Sequence, residues 1–478
     1  MTNKILVLLP DGIGLRNFAY TDFYKVGQES GHSICFWNNT PFELETLGLN
    51  SIKLGGRTHP VTEIYKNARK HIELSLSIER TGDKVYNSYR FPFSYKSTKE
   101  ALKSLLVQLL ILRYSSADGL LKIRTKIMQT ERKTDYFRRC VDTLKAEKPS
   151  MVFCTNQRPM SAIAPIEAAK ELGIPTASFI FSWDNLPKAT MVIETDFYFV
   201  WSDHMKQELL AYYPYIAEDQ IFVTGTPQFE PHTQRSMLMS RDSFFEKYQL
   251  DISKKYICYS GDDITTSPND QLYLRDVANA VRTLNSRGHS LGIIFRRCPV
   301  DLSDRYDEVL KENADLIVAI DPLWKPCGEM WNSILPTPDD LELQMNTIKH
   351  TELVINLGSS MVFDYVSFGK PCAYINYDYN VPDTSRITFP VKKIYDFVHF
   401  RSMPSKDCVG WLNSADTISG VIEDLLTNNS HIINNAKIWF ETINRHRAQN
   451  ASERIIAAID TIVENSDSTT EPVSAAQV

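Results

Sequence analysis

The chain has no long apolar run, no paired cysteines and no excess of basic residues. Its first apolar run, residues 5–9, is too short for a signal peptide and ends at Pro10. No stretch reaches the roughly 20 consecutive apolar residues that a transmembrane helix needs. From these absences we expect a cytoplasmic protein without a membrane-spanning helix.

Charge and cysteine content exclude further classes of protein. The formal net charge is −6, whereas a nucleic-acid-binding protein normally carries a basic excess, so we expect no nucleic-acid partner. The eight cysteines form no C-x-x-C pair, and several fall in apolar strand patterns, where a thiol behaves as a small apolar group. This favours reduced cysteines over disulfides or a zinc site. The ten histidines show no paired ligand spacing, and we expect no bound metal.

What the sequence does contain is a strand–helix alternation long enough for two domains. A chain of 478 residues exceeds one ordinary core. The alternation is clear from about residue 131, and a second series begins at residue 256 after a polar stretch without strand pattern. We predict an α/β protein with two Rossmann-like domains, residues 1–230 and 255–450. The remaining predicted parts are a helical insertion at about 98–135, a linker at 231–254, a helix at 451–464 and a disordered tail at 465–478.

The most informative stretch is residues 353–375, which predicts a strand, a small-residue turn, a helix and a second strand. Gly358, Ser359 and Ser360 lie where the helix begins, and free backbone N–H groups at such a position favour an anion. Asp364 follows Ser360 by four residues, on the same predicted helical face, and a carboxylate there can accept hydrogen bonds from a ribose. Taken alone, the stretch fits an ordinary strand–helix crossover equally well.

Two other predicted strands of the second domain end in residues suited to a ligand. Residues 256–260 are followed by Gly261, and the strand that starts at residue 291 ends in Arg296 and Arg297. Doubly wound sheets bind ligands at the carboxyl ends of their strands, and the planar guanidinium group matches phosphate. A pair of surface arginines without a ligand is the alternative interpretation.

Residues 101–112 form a strongly apolar predicted helix. Several basic residues follow it: Arg113, Lys122, Arg124, Lys126, Arg132 and Lys133. Basic residues beside an apolar helix are typical of a membrane-surface or lipid-acceptor patch. A core helix followed by a solvated one explains the same pattern and is the interpretation that we favour. Peripheral contact with the inner face of a membrane stays open.

Several segments, in order along the chain, resemble bacterial glycosyltransferases of the GT-B class, which use nucleotide-activated sugars. They are S-W-D-N at 182–185, V-W at 200–201, V-T-G-x-P-x-F at 223–229 and residues 355–372 with their G-K-P corner. The third pattern also recurs in Kdo transferases, teichoic-acid glycerophosphotransferases and sugar-nucleotide 2-epimerases. The resemblance covers residues 150–376 well and the first 35 in outline. This chain has Asp364 where the class usually has Glu, and Cys298 where it commonly has His.

The resemblance implies two Rossmann-like domains that face each other across a cleft, with the donor on the second and the acceptor on the first. The implied activity is an inverting, metal-independent transfer of sugar from a nucleotide-sugar to a glycan or lipid-linked acceptor, in cell-surface polysaccharide synthesis, without a bound cofactor. For the general base we favour Asp11, after the first strand, with Asp184 as the alternative; either can instead be a turn residue or helix cap. The residues expected to bind the donor are Gly261, Arg296, Arg297, Gly358, Ser359, Ser360 and Asp364.

Three other functions remain. A glycerophosphate-type transferase would use the same fold with an anionic acceptor chain. A sugar-nucleotide 2-epimerase would need several acidic residues around one sugar, which the sequence does not assign. A non-catalytic nucleotide-sugar sensor would keep residues 355–375 and lack a working base.

Overall fold

The computed structural model describes residues 3–327, 334–379 and 390–470, with only the backbone for residues 467–470. The chain divides into two compact units. The N-terminal unit comprises Met1–Gln228 and Asn444–Val478, and the C-terminal unit comprises Phe229–Ile443. The polar stretch that the sequence assigned to a linker thus belongs to the C-terminal unit.

The N-terminal unit is built on a parallel sheet of seven strands. The strands are β1 (Lys4–Leu9), β2 (Ser33–Asn38), β3 (Ser51–Lys53), β4 (Met151–Cys154), β5 (Thr176–Phe179), β6 (Phe197–Val200) and β7 (Ile221–Val223). Their order in the sheet is β3-β2-β1-β4-β5-β6-β7. The unbroken apolar runs of β1 and β4 are fully buried, as expected of parallel strands covered on both faces.

The helices of this unit include three long ones inserted between β3 and β4. The helices are α1 (Phe23–Glu29), α2 (Pro60–Thr81), α3 (Thr98–Tyr114), α4 (Ala117–Glu131), α5 (Asp135–Glu147), α6 (Ile163–Glu171) and α7 (Asp203–Tyr212). The sequence predicted a helical insertion from about residue 98, and the 22-residue helix α2 moves its start upstream to Pro60. Helices α3 and α4 both pack against α2.

The C-terminal unit repeats the plan with a parallel sheet of six strands. The strands of this unit are β8 (Lys255–Ser260), β9 (Leu291–Arg296), β10 (Ile317–Ala319), β11 (Lys325–Pro326), β12 (Ile334–Leu335), β13 (Val354–Asn356), β14 (Cys372–Ile375) and β15 (Gly410–Leu412). The sheet order is β10-β9-β8-β13-β14-β15, while β11 and β12 form a separate two-stranded ladder. The helices are α8 (Arg241–Lys247), α9 (Asp270–Ser286), α10 (Asp307–Glu312), α11 (Pro338–His350), α12 (Met361–Ser367), α13 (Val391–Ile394), α14 (Ile418–Thr427) and α15 (Ser430–Ile443).

The last helix, α16 (Ala451–Thr470), belongs to the N-terminal unit and packs against α1. Its apolar face is fully buried, and His32 Nε2 lies 2.7 Å from a carboxylate oxygen of Asp460. The entry to this segment is hydrogen-bonded as well, since Thr226 N–H donates to Asn444 Oδ1 at 3.0 Å. The sequence placed the start of a disordered tail at residue 465; the helix continues to Thr470, and residues 471–478 lie outside the described part of the chain.

Two sequence expectations can be compared directly with this structure. All eight cysteines lie among the described residues, and each is free. None of the helices in the described ranges is long and apolar enough to cross a membrane.

Candidate functional site

Each sheet has one topological switch point, between β1 and β4 in the N-terminal unit and between β8 and β13 in the C-terminal unit. Open α/β sheets bind ligands outside the carboxyl ends of the strands at such a point. Three of the predicted residues follow the flanking strands: Asp11 after β1, Gly261 after β8 and Gly358 after β13. The structure therefore offers one candidate site in each unit.

Asp11 is half-buried in the loop after β1. Its Oδ2 accepts a hydrogen bond from Asn156 Nδ2 at 2.7 Å, and its Oδ1 accepts one from the Ile13 N–H at 3.2 Å. Burial raises the pKa of Asp11 to about 6, although the hydrogen bonds and the nearby Arg158 favour the charged form. A carboxylate with such a pKa is ionised at neutral pH and can still take up a proton, as a general base must.

The charge of Arg158 acts on Asp11 and also on Lys66 and Lys70, which lie one turn apart on α2. We call Lys66, Lys70 and Arg158 the cation group. Burial, reinforced by Arg158, lowers the pKa of Lys70 to about 8, and burial also lowers the pKa of Lys66. Lys70 Nζ lies 4.1 Å from the ring centre of Phe91, and the guanidinium carbon of Arg158 lies 5.2 Å from that of Phe181. Within the described residues none of the three forms a salt bridge. The group therefore favours an anionic ligand.

Asp184, the alternative base, is engaged by its own loop. Its carboxylate accepts hydrogen bonds from Ser182 Oγ at 2.5 Å and Asn185 Nδ2 at 2.8 Å, and it forms a salt bridge with Lys188. Three donors thus hold this carboxylate in the turn after β5. Asp11 is the better candidate for the base.

In the C-terminal unit, residues 358–360 form the tight turn that the sequence predicted. Gly358 has φ +66°, and a Cβ there would lie 3.1 Å from the ring of Phe400, so the position requires glycine. Ser359 N–H donates to Asn356 Oδ1 at 2.8 Å, and the Ser359 hydroxyl accepts from the first N–H of α12 at 3.3 Å. These two N–H groups are therefore used within the turn. The Ser360 hydroxyl makes no capping bond to α12 and stays a candidate for phosphate.

Asp364, predicted to hold the ribose, lies inside the C-terminal unit. Its Oδ1 is 2.8 Å from Nε2 of His232, and the two side chains are 3% and 1% exposed. Helix α12 is buried on every side over its first six residues, so Asp364 does not share an exposed face with Ser360. The structure uses Asp364 as the partner of a buried histidine, which corrects the sequence prediction.

Asp364→Asn is therefore expected to destabilise the protein. The asparagine oxygen can still accept from His232, so the variant exchanges a charge-assisted hydrogen bond for a neutral one at a cost of about 1 kcal/mol, which corresponds to a fall in melting temperature of roughly 2–4 °C for a unit of this size. Calorimetric melting and nucleotide titration should be compared with Asp424→Asn, an exposed aspartate in the same unit. An unchanged melting temperature with a tenfold loss of affinity would return Asp364 to the ribose site.

Arg296 is the last residue of β9 and Arg297 follows it, and the two arginines have different surroundings. Arg296 is 7% exposed, and its Nη2 lies 2.8 and 2.9 Å from the two carboxylate oxygens of Asp340. Arg297 is held more loosely: its Nη1 donates to the carbonyl of Ser303 at 2.6 Å, and two carboxylates are 4.0 Å away. The sequence predicted both arginines at the donor diphosphate. Arg296 is instead neutralised inside the unit, and Arg297 remains the candidate.

Arg297→Ala is expected to weaken the binding of nucleoside diphosphate about ten- to a hundred-fold, because charge-assisted hydrogen bonds contribute about 1.5–3 kcal/mol. Titration calorimetry measures this directly. Arg287→Ala, which removes an exposed arginine of the same unit, is the matched control and should bind normally. Unchanged affinity in Arg297→Ala would remove Arg297 from the site.

Gly261 occupies the loop after β8. Its N–H donates to the carbonyl of Arg296 at 2.9 Å, and a Cβ would lie 2.9 Å from the hydroxyl of Tyr306. The loop is thus packed closely against the neighbouring strand end, which explains the glycine without requiring a ligand.

Asp262, the next residue, was not identified from the sequence. Burial, followed by the nearby Asp270 and Asp263, raises the pKa of Asp262 to about 8, so its carboxyl group is mostly protonated at neutral pH and can donate a hydrogen bond. It stands two residues after the first strand of its sheet, as Asp11 does in the other unit. The matching position of the two aspartates after the first strand of each sheet is the sequence signal that could have identified Asp262.

No protein-family model matches this sequence, and no curated protein is similar to it in sequence. Several solved structures are similar in fold. The UDP-GlcNAc 2-epimerase from Methanocaldococcus jannaschii gives a TM-score of 0.53 with 14% identity over 96% of this chain and 100% of that one. A putative UDP-N-acetylglucosamine 2-epimerase from Listeria monocytogenes gives 0.51 with 13% identity over 97% of each chain. The UDP-GlcNAc 2-epimerase from Neisseria meningitidis, bound to UDP-GlcNAc, gives 0.50 with 11% identity over 96% of this chain and 100% of that one.

At these identities the likeness concerns the fold. The two parallel sheets and the similarity over nearly the whole chain confirm the predicted fold class: the protein is an α/β chain with two Rossmann-like domains, the GT-B fold.

Proposed function

We propose that the protein is a glycosyltransferase that moves a sugar from a nucleotide-sugar donor to an acceptor carrying negative charge. Asp11 carries the proposal: a carboxylate with a pKa of about 6, at the switch point of the N-terminal sheet, beside a cation group that has no salt-bridge partner among the described residues. The donor would bind in the C-terminal unit, at Arg297 and the turn of residues 358–360. The acceptor would bind in the N-terminal unit.

In the proposed reaction, Asp11 takes the proton of the acceptor hydroxyl while that oxygen forms a bond to the anomeric carbon of the sugar. The bond from the anomeric carbon to the phosphate oxygen breaks, and the nucleoside diphosphate leaves with the electron pair. Arg297 and the Ser360 hydroxyl stabilise the charge that develops on the leaving group. A single displacement of this kind inverts the anomeric carbon.

The cation group narrows the class of acceptor. Lys66, Lys70 and Arg158 fit a phosphate or carboxylate group held near the reacting hydroxyl. This supports a lipid-phosphate-linked or acidic glycan over a neutral sugar. A glycerophosphate-type transferase with a polyanionic acceptor fits the same cations.

A sugar-nucleotide 2-epimerase is the second candidate, favoured by the fold similarity to epimerases. Epimerisation removes a proton from the sugar and returns one to the opposite face, so groups are needed on both sides. Of the two carboxylates predicted as bases, Asp184 is held in a salt bridge by Lys188, which leaves Asp11. A single available carboxylate favours transfer over epimerisation.

Incubation with a panel of nucleotide sugars tests the proposal, with free nucleotide and sugar stereochemistry as readouts. A transferase should release nucleoside diphosphate slowly, and faster when an anionic acceptor is added. Formation of a sugar epimer without nucleotide release would identify an epimerase. Release of a nucleoside monophosphate from a nucleotide-activated glycerol would identify a glycerophosphate transferase, and binding without any product a sensor.

A further inference from the structure

Helix α3 presents an apolar face that the rest of the N-terminal unit does not cover. Its inward side is formed by Ser104 and Val107, which are buried. Five leucines on the opposite side are 39–80% exposed: Leu102, Leu105, Leu106, Leu109 and Leu112. We call these five residues the leucine face. A helix that is apolar all round is normally buried on every side, so this face indicates an apolar surface that α3 contacts.

The leucine face has positive charge at both ends. Lys99 and Arg113 share its helical stripe, because positions 99, 102, 106, 109 and 113 are spaced by three and four residues. Lys96 and Lys122, in the adjoining segments, are also exposed. In the described structure these four residues form no salt bridge.

Charge in this region is opposite to that of the whole protein. Residues 91–126 contain seven Lys and Arg against two Asp and Glu, although the chain has a net charge of −6. Two exposed aromatic residues, Phe91 and Tyr95, precede α3, and the Tyr95 hydroxyl accepts a hydrogen bond from Gln108 of α3 at 2.6 Å. We call Lys96, Lys99, Arg113 and Lys122 the basic rim. An apolar face with a basic rim and neighbouring aromatic residues is typical of a helix that lies in the plane of a membrane interface.

We propose that α3 docks the protein onto an anionic lipid surface, with the leucine face inserted among the lipid headgroups and the basic rim over their phosphates. The inserted depth is that of an interfacial helix, about 5–10 Å. Docking is a property of the N-terminal unit and does not depend on the catalytic role of Asp11.

Charge complementarity decides between a membrane and a second copy of the chain. In a symmetric pair formed by two leucine faces, Lys99 would meet either Lys99 or Arg113 of the other copy, whichever way the helices ran. Like charges would then face each other at both ends of the contact. An anionic lipid surface neutralises the same charges.

Flotation of the full-length chain with vesicles tests the proposal. Vesicles of phosphatidylcholine are compared with vesicles that also contain phosphatidylglycerol, at about 0.1 M and about 0.5 M NaCl, since the higher salt shortens the screening length. The protein should float with the anionic vesicles and less at higher salt. The variant Leu105→Gln with Leu109→Gln should lose roughly tenfold or more of this partitioning, because it removes two inserted leucines. Ile438→Gln, at an exposed isoleucine of the C-terminal unit, is the matched control and should float as the wild type.

Flotation of the leucine variant at the wild-type level would overturn the proposal, as would a wild-type protein that ignores anionic vesicles. Sedimentation velocity without lipid tests whether a second copy of the chain covers the leucine face instead. If the wild type is a dimer, the leucine variant is a monomer and neither binds vesicles, the face is a dimer interface and the proposal is wrong. Both leucines are exposed, so the fold should survive, as circular dichroism can verify. If the double variant does not fold, Leu112→Gln, at the most exposed position of the leucine face, replaces it.

Discussion

Asp11→Asn is expected to turn over about 10²–10⁴ times more slowly than the wild type, the contribution of a general base. The substitution keeps the size of the side chain and removes its ability to take up a proton. Donor affinity should remain nearly normal, because the proposed donor site lies in the C-terminal unit. Turnover and nucleotide affinity are measured together on Asp11→Asn and Asp184→Asn, and the second variant should have the smaller effect on turnover.

The opposite pattern, with near-normal turnover in Asp11→Asn and collapse in Asp184→Asn, would move the base to the loop after β5. Activity in both variants would place it elsewhere. The pH profile adds an independent reading: wild-type activity should fall as the pH drops below about 6, where Asp11 becomes protonated. The residual activity of Asp11→Asn should show no such step.

Stability provides the control for this variant. The pKa of Asp11 is raised from the usual 3.8 to about 6 in the folded chain, so the folded state holds the proton more tightly. The stability contributed by this group is complete below about pH 4 and is lost as the pH rises through about 6. At neutral pH, Asp11→Asn should therefore melt at or above the wild-type temperature. A lower melting temperature would indicate a structural role.

Asp340→Ala is expected to lower the free energy of unfolding by about 3–5 kcal/mol, because it leaves the charge of Arg296 buried without its partner. The same carboxylate accepts hydrogen bonds from the Leu323 N–H at 2.8 Å and the Trp324 indole at 2.7 Å, and these donors lose their partner as well. Urea unfolding measures the change.

Asp339→Ala is the matched control, because Asp339 is exposed in the same first turn of α11 and should cost no more than about 1 kcal/mol. A double variant, Arg296→Met with Asp340→Leu, removes both charges and should recover much of the loss. Equal stability of Asp340→Ala and Asp339→Ala would show that Arg296 finds another partner, and its assignment to the donor diphosphate would have to be reconsidered.

The strands could be predicted from the sequence, because parallel strands buried on both faces are unbroken apolar runs bounded by turn residues. Helix α2 could not. It buries Arg69 and Glu73, and Glu73 pairs with Arg124 of α4 at 3.1 Å, so charged residues interrupt the apolar stripe by which a helix is recognised. Strand β15, which begins at Gly410, has no apolar run of its own and was not predicted.

The apolar helix α3 was predicted as a core helix, and one of its faces, with Val107, does belong to the core, whereas the leucine face does not. Apolar composition indicates that a segment prefers an apolar environment, and it does not say whether the protein supplies that environment. The basic residues at the ends of the leucine face were the signal for the alternative.

For the candidate site, the sequence could predict which residues lie at the ends of strands, but not which of them are free to bind a ligand. Asp11, Arg297 and Gly358 lie at strand ends, as the alternation of elements indicated. Which side chains are free for a ligand depends on partners far away in the sequence, such as His232 for Asp364. Spacing along the chain contains no information about such partners.

Part of the sequence resemblance reflects architecture rather than chemistry. The indole of Trp201, in the V-W motif, donates to the carbonyl of Ile180 at 2.8 Å and is buried. In the V-T-G-x-P-x-F motif, the backbone of Thr226 is held by Asn444. These residues fasten the end of the N-terminal sheet to the segment that leads into α16, and many functions can share them.

The position of α16 has a consequence for biosynthesis. During translation, the strands and helices of residues 3–228 leave the ribosome first, but the helix that covers α1 is encoded after the whole C-terminal unit. Until residues 451–463 emerge, the apolar surface that will meet Ile455, Ile459 and Val463 is exposed to water. The apolar surface of the nascent N-terminal unit therefore stays partly uncovered while the C-terminal unit is synthesised. Exposed apolar surface promotes aggregation, so the chain is most prone to aggregate during this interval.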